Sequence, residues 1–233
     1  MSYIAERMQA VHERIARAAE AAGRDSSSIR LLAVSKTFSA DDVAAAALTG
    51  QRAFGENYVQ EALTKIDALR NIAGLEWHLI GPLQTNKCAL AATNFSWVHT
   101  VDREKIAVRL SASRPLSMPP LHVCIQVNIS GEASKSGAAP GDARGLARAV
   151  AQMPRLVLRG LMGIAGLDAG PETTRAQFRM LRELRDDLQG DGIELDTLSM
   201  GMSGDLEEAI AEGATMVRVG SAIFGERQRK LEA

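Results

Sequence analysis

The chain has 233 residues, of which 46% are hydrophobic and 24% charged, and its formal net charge is -1 at pH 7. These proportions are typical of a globular protein, and the interleaved acidic and basic residues exclude a basic stripe for nucleic acid and a polybasic arm for membranes. Charged residues interrupt every apolar run well before the length that a bilayer span needs.

The first predicted element is a helix that ends at Gly23. Its apolar residues recur at helical spacing: Ile4, Met8, Val11, Ile15 and Ala18. This stretch contains acidic residues and lacks the uninterrupted apolar core of a secretory signal. The two cysteines, Cys88 and Cys124, have no metal-site spacing and are interpreted as free thiols. Together these features predict a cytoplasmic location.

Eight apolar runs rich in β-branched residues follow, and segments with helical patterning separate them. The runs are RLLAVSK, RAFGEN, EWHLIG, SWVHTVD, LHVCIQVN, LVLRGLMGIA, ELDTLSM and ATMVRVG. This alternation predicts an α/β fold, a single (β/α)8 TIM barrel with an extra N-terminal helix. An open doubly wound sheet is the alternative, but VSKTFS, after the first strand, lacks the glycine-rich dinucleotide fingerprint.

Helix boundaries and domain organisation follow from local signals. Ser39 and Asp42 have the spacing of a capping box, and Gly50 stands where that helix should end. No proline-rich linker or low-complexity tract interrupts the chain, so we predict one domain over residues 1–233.

Functional side chains of such barrels lie at the carboxyl ends of the strands. The loops after the seventh and eighth strands contain Ser203, Gly204, Gly220 and Ser221. Glycine lets the backbone approach an anion and serine adds a hydroxyl, so these loops predict a phosphate site. The alternative is that Ser203 only caps the helix that follows.

Two cationic residues stand where apolar residues are usual. Arg218 lies inside TMVRVG and needs an acceptor, either a carboxylate in a structural salt bridge or a ligand. Lys36 ends the first strand, and two interpretations are open. Its side chain either extends to solvent or is a nucleophile. The second is possible because desolvation favours the free amine, which condenses with carbonyls. The first and eighth strands of a closed barrel are neighbours. An amine, a phosphate site and an arginine together are what pyridoxal 5'-phosphate (PLP) requires.

With these residues, the sequence resembles the pyridoxal phosphate homeostasis protein family, small barrels related to the N-terminal domain of alanine racemase. The matching motifs are LLAVSKT, FGENYVQE, WHLIGPLQTNK, VNISGEASKSG, LMGIA and LSMGMSGDLEEAIAEGATMVRVGSAIFGER. The resemblance implies a fold type III PLP barrel in which Lys36 holds PLP covalently as a Schiff base and Arg218 faces the pyridine nitrogen. The other cofactor-binding residues that it implies are Asn57, His78, Met200, Met202, Ser203, Gly220 and Ser221.

The resemblance implies a PLP-binding protein of intracellular vitamin B6 and amino-acid homeostasis. From the single-chain pattern we expect a monomer, with PLP-dependent apoenzymes as transient partners. Related racemases take a second base, a tyrosine, from an additional domain, whereas this chain ends at Ala233 after the helix of the eighth strand. A non-enzymatic role is therefore expected. Two alternatives stay open: a weak racemase or lyase that uses Lys36 as its base, and a phosphosugar enzyme that forms a lysine Schiff base without a cofactor.

Overall fold

A computed structural model describes residues 3–132, 135–167 and 169–225 of the chain. Eight parallel strands close into a barrel in sequence order, with the first strand paired to the eighth. The barrel prediction is thus confirmed, and the open sheet is excluded. The strands are β1 (Arg30–Val34), β2 (Ala53–Glu56), β3 (Glu76–Leu79), β4 (Trp97–Val101), β5 (Leu121–Val127), β6 (Leu156–Gly163), β7 (Thr197–Ser199) and β8 (Met216–Val219).

Helices surround the barrel, and the first of them precedes β1 as the sequence predicts. None of the helices within the described ranges is long and apolar enough to cross a membrane. Short 3-10 helices lie at Ser26–Ser28 and Thr85–Lys87. The α-helices are α1 (Tyr3–Ala21), α2 (Ala40–Leu48), α3 (Val59–Ala68), α4 (Cys88–Asn94), α5 (Glu104–Ser113), α6 (Pro140–Ala151), α7 (Gly170–Gly190), α8 (Leu206–Ala211) and α9 (Ser221–Phe224).

The capping box at the start of α2 is present. The Ser39 hydroxyl accepts a hydrogen bond from the amide of Asp42 at 3.1 Å, and the Asp42 carboxylate accepts one from the amide of Ser39 at 2.9 Å. Gly50 follows the helix with a φ of 97°, the left-handed conformation that glycine adopts at low cost. These bonds fix where α2 begins, and therefore the length of the loop that contains Lys36.

The apolar side chains form two layers, because successive strand residues point to opposite sides of the barrel wall. The outward-facing layer packs against the helices in one large cluster. The interior contains smaller apolar clusters, one around Leu32 and Met216 and one around Trp97 and Cys124. Buried polar residues, among them His78, His99, Ser199 and Arg218, share the interior with these clusters. Burial of each large apolar side chain contributes about 2 kcal/mol, so the outer layer supplies most of the hydrophobic stabilisation.

Parts of two family motifs lie outside the described residues. They are residues 133–134 of VNISGEASKSG and residues 226–227 at the end of the last motif. The prediction of one domain over residues 1–233 also includes undescribed residues, and it stays a prediction.

Candidate functional site

A cavity of about 510 Å³ opens at the carboxyl ends of the strands. This is the end at which barrels place functional side chains. Its apolar walls include Val34, Phe38, Ile80 and Ile164. Seven of the nine residues predicted from the sequence line it: Lys36, Asn57, Met202, Ser203, Arg218, Gly220 and Ser221.

The other two predicted residues, His78 and Met200, are not among the described residues that line the cavity. His78 is fully buried in the barrel interior, where it contacts Glu76 and His99. Met200 is fully buried in the outward-facing apolar layer. It stands one residue after the inward-facing Ser199, and a step of one residue changes the side of the wall. These two side chains therefore do not line this cavity, and their role as cofactor-binding residues stays a prediction.

A buried ion cluster lies behind the loop that follows β1. The Lys65 ammonium donates at 2.8 Å to one carboxylate oxygen of Glu56 and at 2.8 Å to one of Glu61. It also donates to the carbonyl oxygen of Ser35 at 2.7 Å. Burial raises the pKa of the Glu56 carboxyl, although hydrogen bonds from Lys65 and Ser35 act in the opposite direction. We call Glu56, Glu61 and Lys65 the Lys65 cluster.

The Lys65 cluster fixes the backbone on both sides of Lys36. Ser35 is held through its carbonyl oxygen by Lys65, and the amide of Thr37 donates to Glu61 at 2.5 Å. Thr37 has a φ of 71°, which costs a β-branched residue conformational energy and persists only where its surroundings hold it. The cluster therefore sets the direction in which Lys36 leaves the strand toward the cavity.

Arg218 lies almost completely buried at the base of the cavity. Its guanidinium donates to the Ser199 hydroxyl at 2.9 Å and to the carbonyl oxygen of Gly163 at 2.9 Å. No ion pair within residues 3–132, 135–167 and 169–225 includes Arg218, so the structural salt bridge considered from the sequence is wrong. Burial lowers the pKa of Arg218 to about 10. This pKa is still well above neutral pH, so the guanidinium is charged.

The loops after β7 and β8 meet through their serines. The Ser221 hydroxyl donates to the Ser203 hydroxyl at 3.2 Å. Ser203 does not cap α8, because the N-cap residue is Asp205, so the capping alternative is wrong. A Cβ at Gly220 would lie 3.1 Å from the carbonyl oxygen of Val34, so glycine there allows the eighth strand to approach the first. The meeting point of the loops supplies two hydroxyls and glycine backbone, a donor set suited to an anion.

Helix α1 supports both loops, a role that the sequence did not reveal. Arg14 donates to the carbonyl oxygen of Ser203 at 2.7 Å and forms a two-point ion pair with Glu207. Arg7 donates to the carbonyl oxygen of Ser221 at 3.4 Å. The extra N-terminal helix thus fixes the backbone of the serine loops.

Histidines in the barrel interior are held neutral. Burial lowers the pKa of His78 to about 4, and burial lowers the pKa of His99 well below its ordinary value. Burial would raise the pKa of the Glu76 carboxyl, but hydrogen bonds from His78 and Arg30 outweigh it and hold that pKa below its usual range. At neutral pH each imidazole therefore has one donor and one acceptor nitrogen.

The depressed pKa of His78 predicts a loss of stability in acid. The unfolded chain protonates His78 near pH 6.5, whereas the folded chain resists protonation down to about pH 4. The unfolded state therefore binds more protons in this window, and stability that is present above pH 6.5 is lost as the pH falls. We expect this residue alone to remove about 3 kcal/mol from the free energy of unfolding.

Urea unfolding at several pH values between these limits tests this expectation. His78→Gln keeps a donor and an acceptor but cannot titrate, so its stability should depend less steeply on pH. His12→Gln, at an exposed position of α1, is the matched control and should keep the wild-type dependence. If the free energy of unfolding depends on pH equally steeply in His78→Gln and in wild type, the loss of stability in acid does not come from His78.

The closed barrel with a preceding helix, a lysine after β1 and serine–glycine loops after β7 and β8 define a barrel of the alanine racemase type. The family model for the N-terminal domain of alanine racemase matches residues 7–228. The chain is 57% identical to the pyridoxal phosphate homeostasis protein of Pseudomonas aeruginosa, over 97% of each chain. It is 50% identical to that of Escherichia coli, over 97% of this chain and 98% of the relative. The chain belongs to the pyridoxal phosphate homeostasis protein family.

Solved structures agree with this assignment. The chain is similar to PipY of Synechococcus elongatus, in a structure with PLP bound, at 36% identity and a TM-score of 0.84. That match covers 95% of this chain and 100% of PipY. Alanine racemase of Corynebacterium glutamicum is 22% identical with a TM-score of 0.65, and the match covers 97% of this chain and 63% of the racemase. This second likeness shows the shared barrel fold.

Proposed function

We propose that this protein binds PLP as a Schiff base on Lys36, releases it again, and so takes part in intracellular vitamin B6 and amino-acid homeostasis. The observation that carries the proposal is the single cavity that brings together Lys36, Arg218 and the two serine loops. The names of the relatives and the PLP-bound structure of PipY support it. A cavity of this size is in the range that small-molecule cofactors occupy.

The residues present fit the three chemical parts of the cofactor. When bound, PLP supplies an aldehyde that reacts with amines, a phosphate and a pyridine ring. Lys36 offers the amine, whose condensation with an aldehyde forms a carbon–nitrogen double bond and releases one water molecule. Ser203 and Ser221 would hold the phosphate. A Cβ on Gly204, which also lines the cavity, would meet no heavy atom within 4 Å, so there is open space beside these hydroxyls.

Arg218 would face the pyridine nitrogen. A fixed cation beside that nitrogen disfavours its protonation, and an unprotonated ring withdraws electrons less strongly. Lys36 and Arg218 are the ionisable side chains among the described residues of the cavity lining. Tyr58 is 61% exposed and does not line the cavity. We therefore propose a binding protein without two-base catalysis. Racemisation of alanine faster than by free PLP would contradict this part of the proposal.

The proposal extends to the setting in which PLP is held. We place the protein in the cytoplasm as a monomer that passes PLP transiently to PLP-dependent apoenzymes. Reactivation of an apoenzyme by the loaded protein, faster than by the PLP that it releases into solution, is the expected result. A rate equal to that with released PLP would contradict transfer.

The phosphate assignment predicts how the protein discriminates PLP from pyridoxal. We expect Ser221→Asp to weaken PLP binding at least about tenfold, because a carboxylate would repel the phosphate at short range. Pyridoxal, which lacks the phosphate, should bind this variant as it binds wild type. Absorbance titration with each aldehyde measures both affinities.

Ser117→Asp, in the exposed loop before β5, adds the same charge away from the cavity and is the matched control. It should leave both affinities at the wild-type level. Equal weakening of PLP and pyridoxal binding by Ser221→Asp would contradict the phosphate site. Absence of saturable PLP binding by wild type would contradict the proposed function itself.

A further inference from the structure

Five residues form a continuous chain of hydrogen bonds through the barrel interior. Glu76 Oε1 lies 2.9 Å from His78 Nε2, and His78 Nδ1 lies 2.9 Å from His99 Nε2. His99 Nδ1 lies 2.9 Å from the Ser199 hydroxyl, which accepts from Arg218 at 2.9 Å. We call these five residues the interior chain. It begins at the first residue of β3 and ends at the base of the cavity.

The hydrogen atoms of the interior chain can be assigned in one direction. Because the Glu76 carboxylate only accepts, His78 donates from Nε2 and, being neutral, accepts at Nδ1. His99 must then donate from Nε2 and accept at Nδ1, so the Ser199 hydroxyl donates to His99. The lone pairs of Ser199 then accept from Arg218. Every donor points toward Glu76, an arrangement in which each bond polarises the next.

The far end of the interior chain is fixed by a second arginine. Arg30 donates to the two carboxylate oxygens of Glu76 at 3.1 and 2.9 Å. This two-point contact keeps the carboxylate ionised and prevents its rotation. Glu76 therefore acts as a permanent acceptor.

A purely space-filling role does not account for these residues. Polar groups in a barrel interior cost free energy unless they are fully hydrogen-bonded, and leucine or isoleucine would fill the same space without that requirement. His78, His99 and Ser199 are completely buried. The bonds connect them in sequence to Arg218, which lines the cavity, and the assignment above leaves none of their polar atoms without a partner.

We propose that Glu76, His78, His99 and Ser199 are positioning residues that orient the Arg218 guanidinium toward the cofactor ring and transmit the Glu76 charge to it. This inference rests on the proposed function. Without the interior chain, Arg218 would keep its bond to the Gly163 carbonyl and could rotate about it. The electrostatic field at the ring nitrogen would then change.

Paired variants of His99 test the proposal. His99→Leu breaks the interior chain, whereas His99→Gln offers an amide donor and a carbonyl acceptor that restore it. We expect His99→Leu to weaken PLP binding about tenfold, the usual effect of losing one hydrogen bond, and to shift the visible absorption of the bound cofactor, because the Ser199 hydroxyl that accepts from Arg218 would lose its fixed orientation. His99→Gln should recover most of both changes. Absorbance titration, the spectrum of the loaded protein and thermal unfolding are measured on each.

The outcomes separate the inference from the function on which it rests. If wild type forms no borohydride-reducible adduct, the proposed function fails. If wild type forms the adduct and folded His99→Leu keeps its spectrum and affinity, the inference is wrong. If His99→Leu does not unfold cooperatively, Ser199→Ala takes its place, because it removes only one hydroxyl. Its spectrum and its PLP affinity are then compared with those of wild type. A fall in thermal stability that is equal in both His99 variants, with unchanged spectra, would assign the interior chain a purely structural role and overturn the proposal.

Discussion

Replacement of Lys36 by alanine is expected to abolish the covalent PLP adduct while leaving the barrel folded. The side chain lines the cavity and lies at the end of β1, so truncation removes the amine without opening the apolar core. Mass spectrometry after borohydride reduction should find one pyridoxyl group per wild-type chain and none on Lys36→Ala. The melting temperature without PLP should change by only about 2 °C, as for other substitutions outside the core.

Lys105→Ala provides the matched control for this experiment. Lys105 is exposed on α5, so its removal should change neither the adduct nor the stability. A reducible adduct of full stoichiometry on Lys36→Ala would show that another amine holds the aldehyde. In that case the cavity at the carboxyl ends of the strands would not be the site of covalent attachment.

Replacement of Lys65 by methionine is expected to destabilise the fold much more than replacement of Lys36 by alanine. The ammonium is buried, and it neutralises Glu56, which is fully buried. Removal of one partner of a buried ion pair leaves an uncompensated charge, which typically costs about 3–5 kcal/mol. For a chain of this length we expect a fall in melting temperature of roughly 10 °C. The variant should also form the Lys36 adduct more slowly, because the backbone on both sides of that residue loses its support.

A second substitution separates charge from packing. Glu56→Gln removes the buried charge with little change of shape, so the double variant with Lys65→Met should recover much of the lost stability. Lys105→Met makes the same replacement at an exposed helical position and should have little effect. If Lys65→Met unfolds at the wild-type temperature, the Lys65 cluster does not stabilise the fold. Equal stability of the single and double variants would show that the loss comes from packing.

The barrel could be predicted because its signals are local. Each strand has its own apolar run, and each of the eight predicted runs contains one strand of the structure. Lys36 and Arg218 stood out because cationic residues are unusual in and after buried strands. The neighbouring positions of their strands follow from barrel closure alone. The order of the strands along the chain was therefore enough to predict that Lys36 and Arg218 line the same cavity.

Two features of the site could not be predicted from the sequence: the depth of a side chain below the rim of the barrel, and contacts between residues that are far apart along the chain. The resemblance implies that His78 lines the pocket, but strand order does not reveal how far below the rim an inward-facing residue lies. For Met200, the sequence does not show where β7 ends, and that position decides on which side of the barrel wall the side chain lies. Arg14 contacts a residue 189 positions away, a separation over which periodicity gives no signal. His99 does have a local signal, because it is a polar residue within the apolar run SWVHTVD.

The most direct test of the central claim is borohydride reduction of the PLP-loaded protein, followed by proteolysis and mass-spectrometric peptide mapping. The account predicts that the visible absorption band disappears on reduction and that the pyridoxyl group is found on the peptide containing Lys36. A label spread over exposed lysines such as Lys105, or no label at all, would contradict it.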